Sequence, residues 1–232
     1  MTGFGVARRC PGLVTLATVL SLFAAPARVD AQSYPRSGSL ELGGSVFWIG
    51  GSDAGSATAE ETENQTGSTS SITLFETSAR LRSALGVGGR IGFNLTSSIA
   101  VEGEFVYSRP TIAVSISNDF ERSLDLTLEG SSLHEYFIDG GVVLHLDNLR
   151  FNSGGVPFLS ASAGYLRQLT EERQSVETGQ VYQIGGGIKQ LVGQHFGVRL
   201  DLRAGFRKGG LSFDEGGRRA FFVLGGGGFV VF

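Results

Sequence analysis

Cysteine is nearly missing from this chain: there is one in 232 residues, Cys10. It precedes an apolar stretch that reads as the core of an export signal. Removal of that signal leaves no thiol, no disulfide and no thiolate metal site. A lipid-modified cysteine would follow such a stretch, so the sequence does not read as a lipoprotein. Long apolar runs are missing too. Beyond residue 31 nothing approaches the ~18 residues that a membrane-crossing helix needs, which leaves strands closed on themselves as the way across a bilayer. Excess positive charge is also absent. The formal net charge is −3, and residues 1–31 carry Arg8, Arg9, Arg28 and Asp30, so the remainder carries −5. That balance argues against nucleic acid as a partner. No Walker-type phosphate loop, complete GxGxxG or metal-ligand spacing occurs, so no cofactor is expected.

Glycine, by contrast, is abundant, with 36 residues, and 41% of the chain is hydrophobic. Over this length such a composition fits one all-β unit. Residues 1–31 are expected to be a secretory signal peptide. Arg8 and Arg9 precede the apolar stretch Leu13 to Ala25, and Val29-Asp30-Ala31 forms the cleavage site, with Ala25-Pro26-Ala27 as an alternative. Residues 32–232 form the mature domain.

Within that domain the pattern has period two. In the last stretch Phe222, Leu224, Gly226, Gly228, Val230 and Phe232 alternate with the other face. A long apolar strand needs a partner for its edge, and the first strand, Leu40 to Trp48, is the economical one. Six more alternating stretches lie between them: Leu85–Leu95, Ile99–Tyr107, Tyr136–Leu146, Leu159–Tyr165, Tyr182–Ile188 and Phe196–Phe206. The expected fold is therefore all-β, an eight-stranded antiparallel up-and-down transmembrane β-barrel. Short turns at 96–98, 147–155 and 192–195 alternate with long polar stretches at 50–72, 168–179 and 207–219, which are expected to be external loops. Residues 50–72 in particular read as a long mobile loop. At the loop end of the apolar faces stand Trp48, Tyr107, Tyr136, Tyr165, Tyr182, Phe206 and Phe222, an aromatic girdle on seven of the eight strands.

These features resemble the small OmpA/OmpX-type outer-membrane barrels, over residues 32–232. The ending Gly227–Phe232 resembles the C-terminal assembly signal of such barrels, with Gly227, Val230 and Phe232 as its marked positions. It departs from the usual pattern at Val230, where an aromatic is more common. Pro157-Phe158, Ala163-Gly164-Tyr165 and Gly185-Gly186-Gly187 also look familial. The resemblance implies location in the outer membrane and contact with its lipid and lipopolysaccharide. It also implies recognition by the barrel-insertion machinery, and leaves room for an extracellular partner.

The face opposite the apolar one carries Glu41, Arg90, Glu102, Glu104, Asp139, Lys189, Arg199, Asp201 and Arg203. An eight-stranded interior is only wide enough for side chains to fill, so these charges are expected to pair and plug it. The 96–98 turn places Arg90 opposite Glu104 and diagonal to Glu102. Gly185 and Gly187 are expected beside Arg199 and Asp201. Beyond Tyr107 and Tyr136, a protruding hairpin is expected. An extra residue within Gly130–Leu133 exchanges the faces, pairing Ile112 with Leu128, Val114 with Leu126 and Ile116 with Leu124 around a tip near Asn118–Arg122. Ser132 and His134 share the outward face. A lipid A-modifying enzyme would need such a pair, but here the order is reversed and no acid shares that face. The expectation is thus a structural or surface-interaction barrel and not an enzyme. The alternatives are a lipid A-modifying enzyme and a soluble lipocalin-like barrel.

Overall fold

The computed structural model describes residues 34–62, 71–118, 120, 124–170, 175–211 and 217–232. The expected signal peptide and Cys10 lie outside them. Eleven strands follow in chain order: β1 (Leu40–Ile49), β2 (Ser52–Thr62), β3 (Ser71–Leu81), β4 (Ala84–Asn94), β5 (Ile99–Ser108), β6 (Thr111–Ser117), β7 (Leu126–His145), β8 (Val156–Thr170), β9 (Ser175–Leu191), β10 (Phe196–Gly209) and β11 (Arg219–Val231).

Eight of these close into a ring in chain order: β1, β4, β5, β7, β8, β9, β10 and β11, each antiparallel to the next. The ring shuts where β11 returns to β1, with Leu42 opposite Val230 and Trp48 opposite Leu224. Period-two alternation explains the ring's inverted character. Its apolar residues face outward and stay exposed, Leu85 at 71% and Ile184 at 65%, while Lys189 and Asp201 inside are at 0% and 1%. Water-soluble domains do the opposite.

The remaining strands extend one wall. β2, β3, β6 and the first part of β7 form a second antiparallel sheet at the loop end of the ring. This corrects the expectation that residues 50–72 are a loop: Ser52 to Thr62 is a strand. Its Gly, Ser, Thr and Ala residues carry no apolar alternation. Strand formation there is imposed by the neighbour β3, itself held by β6 through Leu81 opposite Ile112. Among the described residues β2 has one strand neighbour, so its outer edge is open. The 168–179 and 207–219 stretches are also shorter as loops than expected. Thr170 still pairs with Ser175, and Arg207 with Arg219.

The extra residue on β7 lies where the pattern break puts it. Ala113 faces Glu129 and Thr111 faces Ser132, so Gly130 and Ser131 together oppose Ile112. The register above it differs from expectation by two residues: Val114 faces Leu128 and Ile116 faces Leu126. β6 is held on both sides, by β3 as well as β7, and an isolated hairpin does not contain that constraint. Leu124 is left 95% exposed as a result. Part of the expected tip, 119, 121 and 122, lies outside the described residues. Cysteines placed at 114 and 128 should crosslink readily under mild oxidation, and 114 with 126 poorly. The opposite preference in a gel-shift assay would restore the slipped register.

Candidate functional site

The interior is built in layers, each from residues on the inward parity of several strands. At the turn end lies Tyr34, from the segment just ahead of β1. Its ring stacks on Phe229 at 5.8 Å and meets His145 edge-on at 6.4 Å. Its hydroxyl donates to Glu41 Oε1 at 3.0 Å, and its carbonyl accepts from Arg150 Nη2. Burial, and then the Glu41 carboxylate, push the Tyr34 hydroxyl well above the ordinary phenol range. Tyr34 was not anticipated, because it precedes the first alternating stretch.

Above it lie the nine charged residues named from the sequence. Lys189 Nζ donates to Glu41 at 2.9 Å and to Glu102 at 2.8 Å. Asn94 supplies Glu41 with a further donor at 2.7 Å. Arg199 forks between Glu102, at 2.6 and 2.8 Å, and Asp201, at 2.9 Å. Arg203 is bidentate on Glu104, at 2.7 and 2.9 Å. Arg90 also bonds Glu104, with Nε at 2.8 Å, and lies 3.7 Å from Glu102. The register has Arg90 directly opposite Glu104. Asp139 sits at the margin of this cluster, where Gln183 donates to it at 3.2 Å.

Glycine makes room for this arrangement, although one expected neighbour differs. Gly187 faces Asp201, but Gly185 faces Arg203, while Arg199 faces Lys189. A Cβ at Gly187 would lie 1.8 Å from the Leu200 carbonyl oxygen and 2.9 Å from the Phe158 ring. The bare backbone lets Phe158 lie across the interior, with the Arg199 guanidinium 4.2 Å above its centroid.

Next comes a layer that polar–apolar alternation alone does not predict. Phe47, Ile49, Val106, Phe137, Leu166, Val181, Phe221 and Val223 pack together as one buried apolar cluster drawn from six strands. A second polar group lies beyond it: Glu135 accepts from Arg207 at 2.7 Å and Gln168 at 2.7 Å. Leu81, Ile112 and Leu133 then cap the stack. A signal for the apolar layer was available in Phe47-Trp48, Tyr136-Phe137 and Phe221-Phe222. Two adjacent aromatics in a strand send one ring inward and one outward.

The outward rings are those of the expected girdle. Tyr107 stands opposite Tyr136, with centroids 5.2 Å apart, and Tyr182 opposite Phe206. Trp48, Tyr165 and Phe222 share the outward face, exposed by 46%, 48% and 61%. Of the terminal positions, Gly227 faces Ser45 and Arg199, and Val230 faces Leu42 and Phe196. Phe232 exchanges backbone hydrogen bonds with Leu40, at 2.9 and 3.2 Å. Ser132 faces Thr111. His134 Nδ1 is engaged by the Tyr107 hydroxyl at 2.7 Å. Glu135 points into the interior, away from both.

No protein-family model matches the sequence, and no curated protein is similar to it in sequence. Solved structures are similar in shape. Neisserial surface protein A (NspA) is 10% identical with a TM-score of 0.51, covering 84% of this chain and 99% of its own. The chain has the fold of a small outer-membrane β-barrel. Outer membrane protein OprG from Pseudomonas aeruginosa is also similar, at 12% identity and a TM-score of 0.49, covering 85% of this chain and 97% of its own.

Within this barrel Glu104 accepts from two guanidiniums, those of Arg203 and Arg90. Glu104→Ala leaves Arg203 and Arg90 their longer contacts, including those to Asp201 at 3.2 and 3.4 Å, and should destabilise the refolded protein by about 3 kcal/mol. Asp53→Ala breaks only the exposed pair with Arg80 at 3.3 Å, and should cost at most about 1 kcal/mol. Urea unfolding followed by gel mobility measures both.

Proposed function

We propose that the protein is an outer-membrane barrel whose work is done on its outer surface. It acts as a structural or surface-interaction component, exported by a cleaved signal and inserted by the barrel-assembly machinery. Its lumen is filled by paired charges and is closed. The observation that supports this reading is the apolar layer of Phe47, Phe137, Phe221 and their neighbours, lying across the interior between two polar groups. An ion crossing it would lose its hydration with nothing to replace it. A cavity of about 20 Å³ among the charged residues and one of about 10 Å³ within the apolar layer are on the scale of a single water. A lumen so filled has no space for a ligand of the lipocalin kind.

Function then falls to the parts outside the ring, the outward band and the second sheet. A non-catalytic role is favoured over lipid A modification because the Tyr107 hydroxyl engages His134 Nδ1, and Glu135 is committed to Arg207 and Gln168. Planar-bilayer recording tests the closed lumen. The protein should give no steady conductance, and the triple variant Phe47→Ala, Phe137→Ala, Phe221→Ala should leak. Discrete channels in the unaltered protein would overturn the reading.

A further inference from the structure

Just past the aromatic girdle, at the end that carries the second sheet, the outward face changes from apolar to cationic. Arg109 stands two residues beyond Tyr107, Arg167 two beyond Tyr165 and Lys208 two beyond Phe206, all exposed. Residues two apart in a strand share a face, so Arg167 in β8 and Lys208 in β10 lie on the outward side directly above their aromatic neighbours, while Arg109 follows the end of β5. This concentration is not a reflection of overall charge, which is negative.

Arg80 and Arg82 come to the same region from the end of β3. With Trp48, Gly51, Ser83 and Ser115 they line an open groove of about 500 Å³, where the second sheet meets the ring wall. Trp48 belongs to the girdle, and around it Val46, Leu85 and Val87 are exposed by 56%, 71% and 57%. The groove therefore offers two guanidiniums above an indole that continues into an apolar band. Arg80 pairs with Asp53 at 3.3 Å and Arg82 with Glu129 at 2.8 Å, but all four side chains are more than half exposed. Such pairs are worth little and give way readily to a phosphate, whose oxygens suit the planar guanidinium fork.

We propose that this groove seats the phosphorylated headgroup of an outer-leaflet glycolipid. Arg80 and Arg82 hold a phosphate, and Trp48 packs against the sugar and the start of the acyl chains. Arg109, Arg167 and Lys208 continue the same phosphate-level collar around the barrel. The proposal rests on the outer-membrane reading above, with the second sheet on the outside.

Trp48 is the chain's one tryptophan, so its emission reports on the groove without a label. The protein, extracted into zwitterionic detergent micelles, is titrated with bis-phosphorylated lipid A, with the same lipid stripped of its phosphates, and with inorganic phosphate. A saturable emission change is expected with the first. Half-saturation should move up at least about tenfold for the stripped lipid, and likewise for the double variant Arg80→Gln, Arg82→Gln. Inorganic phosphate should leave the emission unchanged. Both arginines are exposed, and retained heat-modifiable migration verifies that the variant is folded. An equal response to the stripped lipid or to inorganic phosphate overturns the proposal, as does an unaltered titration in the variant. Cell fractionation is scored separately. Recovery in the outer membrane with an insensitive Trp48 removes the groove alone, whereas recovery elsewhere removes the outer-membrane reading itself.

Discussion

The pairing of β11 with β1 is the constraint on which the rest of the molecule depends. An eight-stranded sheet left open would expose two rows of unpaired amides and carbonyls, which hydrocarbon cannot satisfy. Closure joins β1 to β11, from Glu41 opposite Val231 to Ile49 opposite Val223. Glycine enables this approach: a Cβ at Gly225 would meet the Phe47 ring at 2.6 Å. With the ring closed, the inward residues of all eight strands converge on a space too narrow for water to fill freely. The interior must then solve its own electrostatics.

It does so by separating polar and apolar layers along the axis. Four carboxylates and four cations interlock near the turn end, with Asp139 at their margin. Because the acceptors are shared, with Glu102 bonding both Lys189 and Arg199, the cluster holds five of the ring strands in one mutual register. Buried ion pairs of this kind add little net stability compared with apolar packing, but breaking one leaves an uncompensated charge. Arg207 links the layers, pairing with Glu135 and lying 4.8 Å over the Phe221 ring. Between the two polar groups lie the apolar rings of Phe47, Phe137 and Phe221.

What was legible from residues alone was whatever short turns and strict alternation determine. Thr96–Ser98 is too short to allow much slack, so Arg90 opposite Glu104 follows from counting back along two strands. The closing pair and the seven outward aromatics follow likewise from parity. β2 was not legible, since Ser52 to Thr62 has no apolar period and becomes a strand only because β3 lies beside it. Strand β3 is in turn held by β6, a contact between segments some thirty residues apart, Leu81 with Ile112. The bulge at Gly130-Ser131 was visible as a change of parity, while the register above it needed that third strand. The inward ring of each aromatic doublet went unread for a different reason. Phe47, Phe137 and Phe221 are apolar residues on the parity that is otherwise polar, and alternation alone does not separate them from the outward ring beside them.

One strand ties the two sheets together mechanically. β7 runs unbroken for 20 residues, its first part in the exterior sheet and Leu133 to His145 laddered to β8 inside the ring. A pull on the exterior sheet along this strand therefore loads the ring's ladder in shear, with the β5 and β8 hydrogen bonds resisting together. Peeling, which would break them one after another, requires a force across the strand. A tether attached there holds best when the tension runs along the barrel axis.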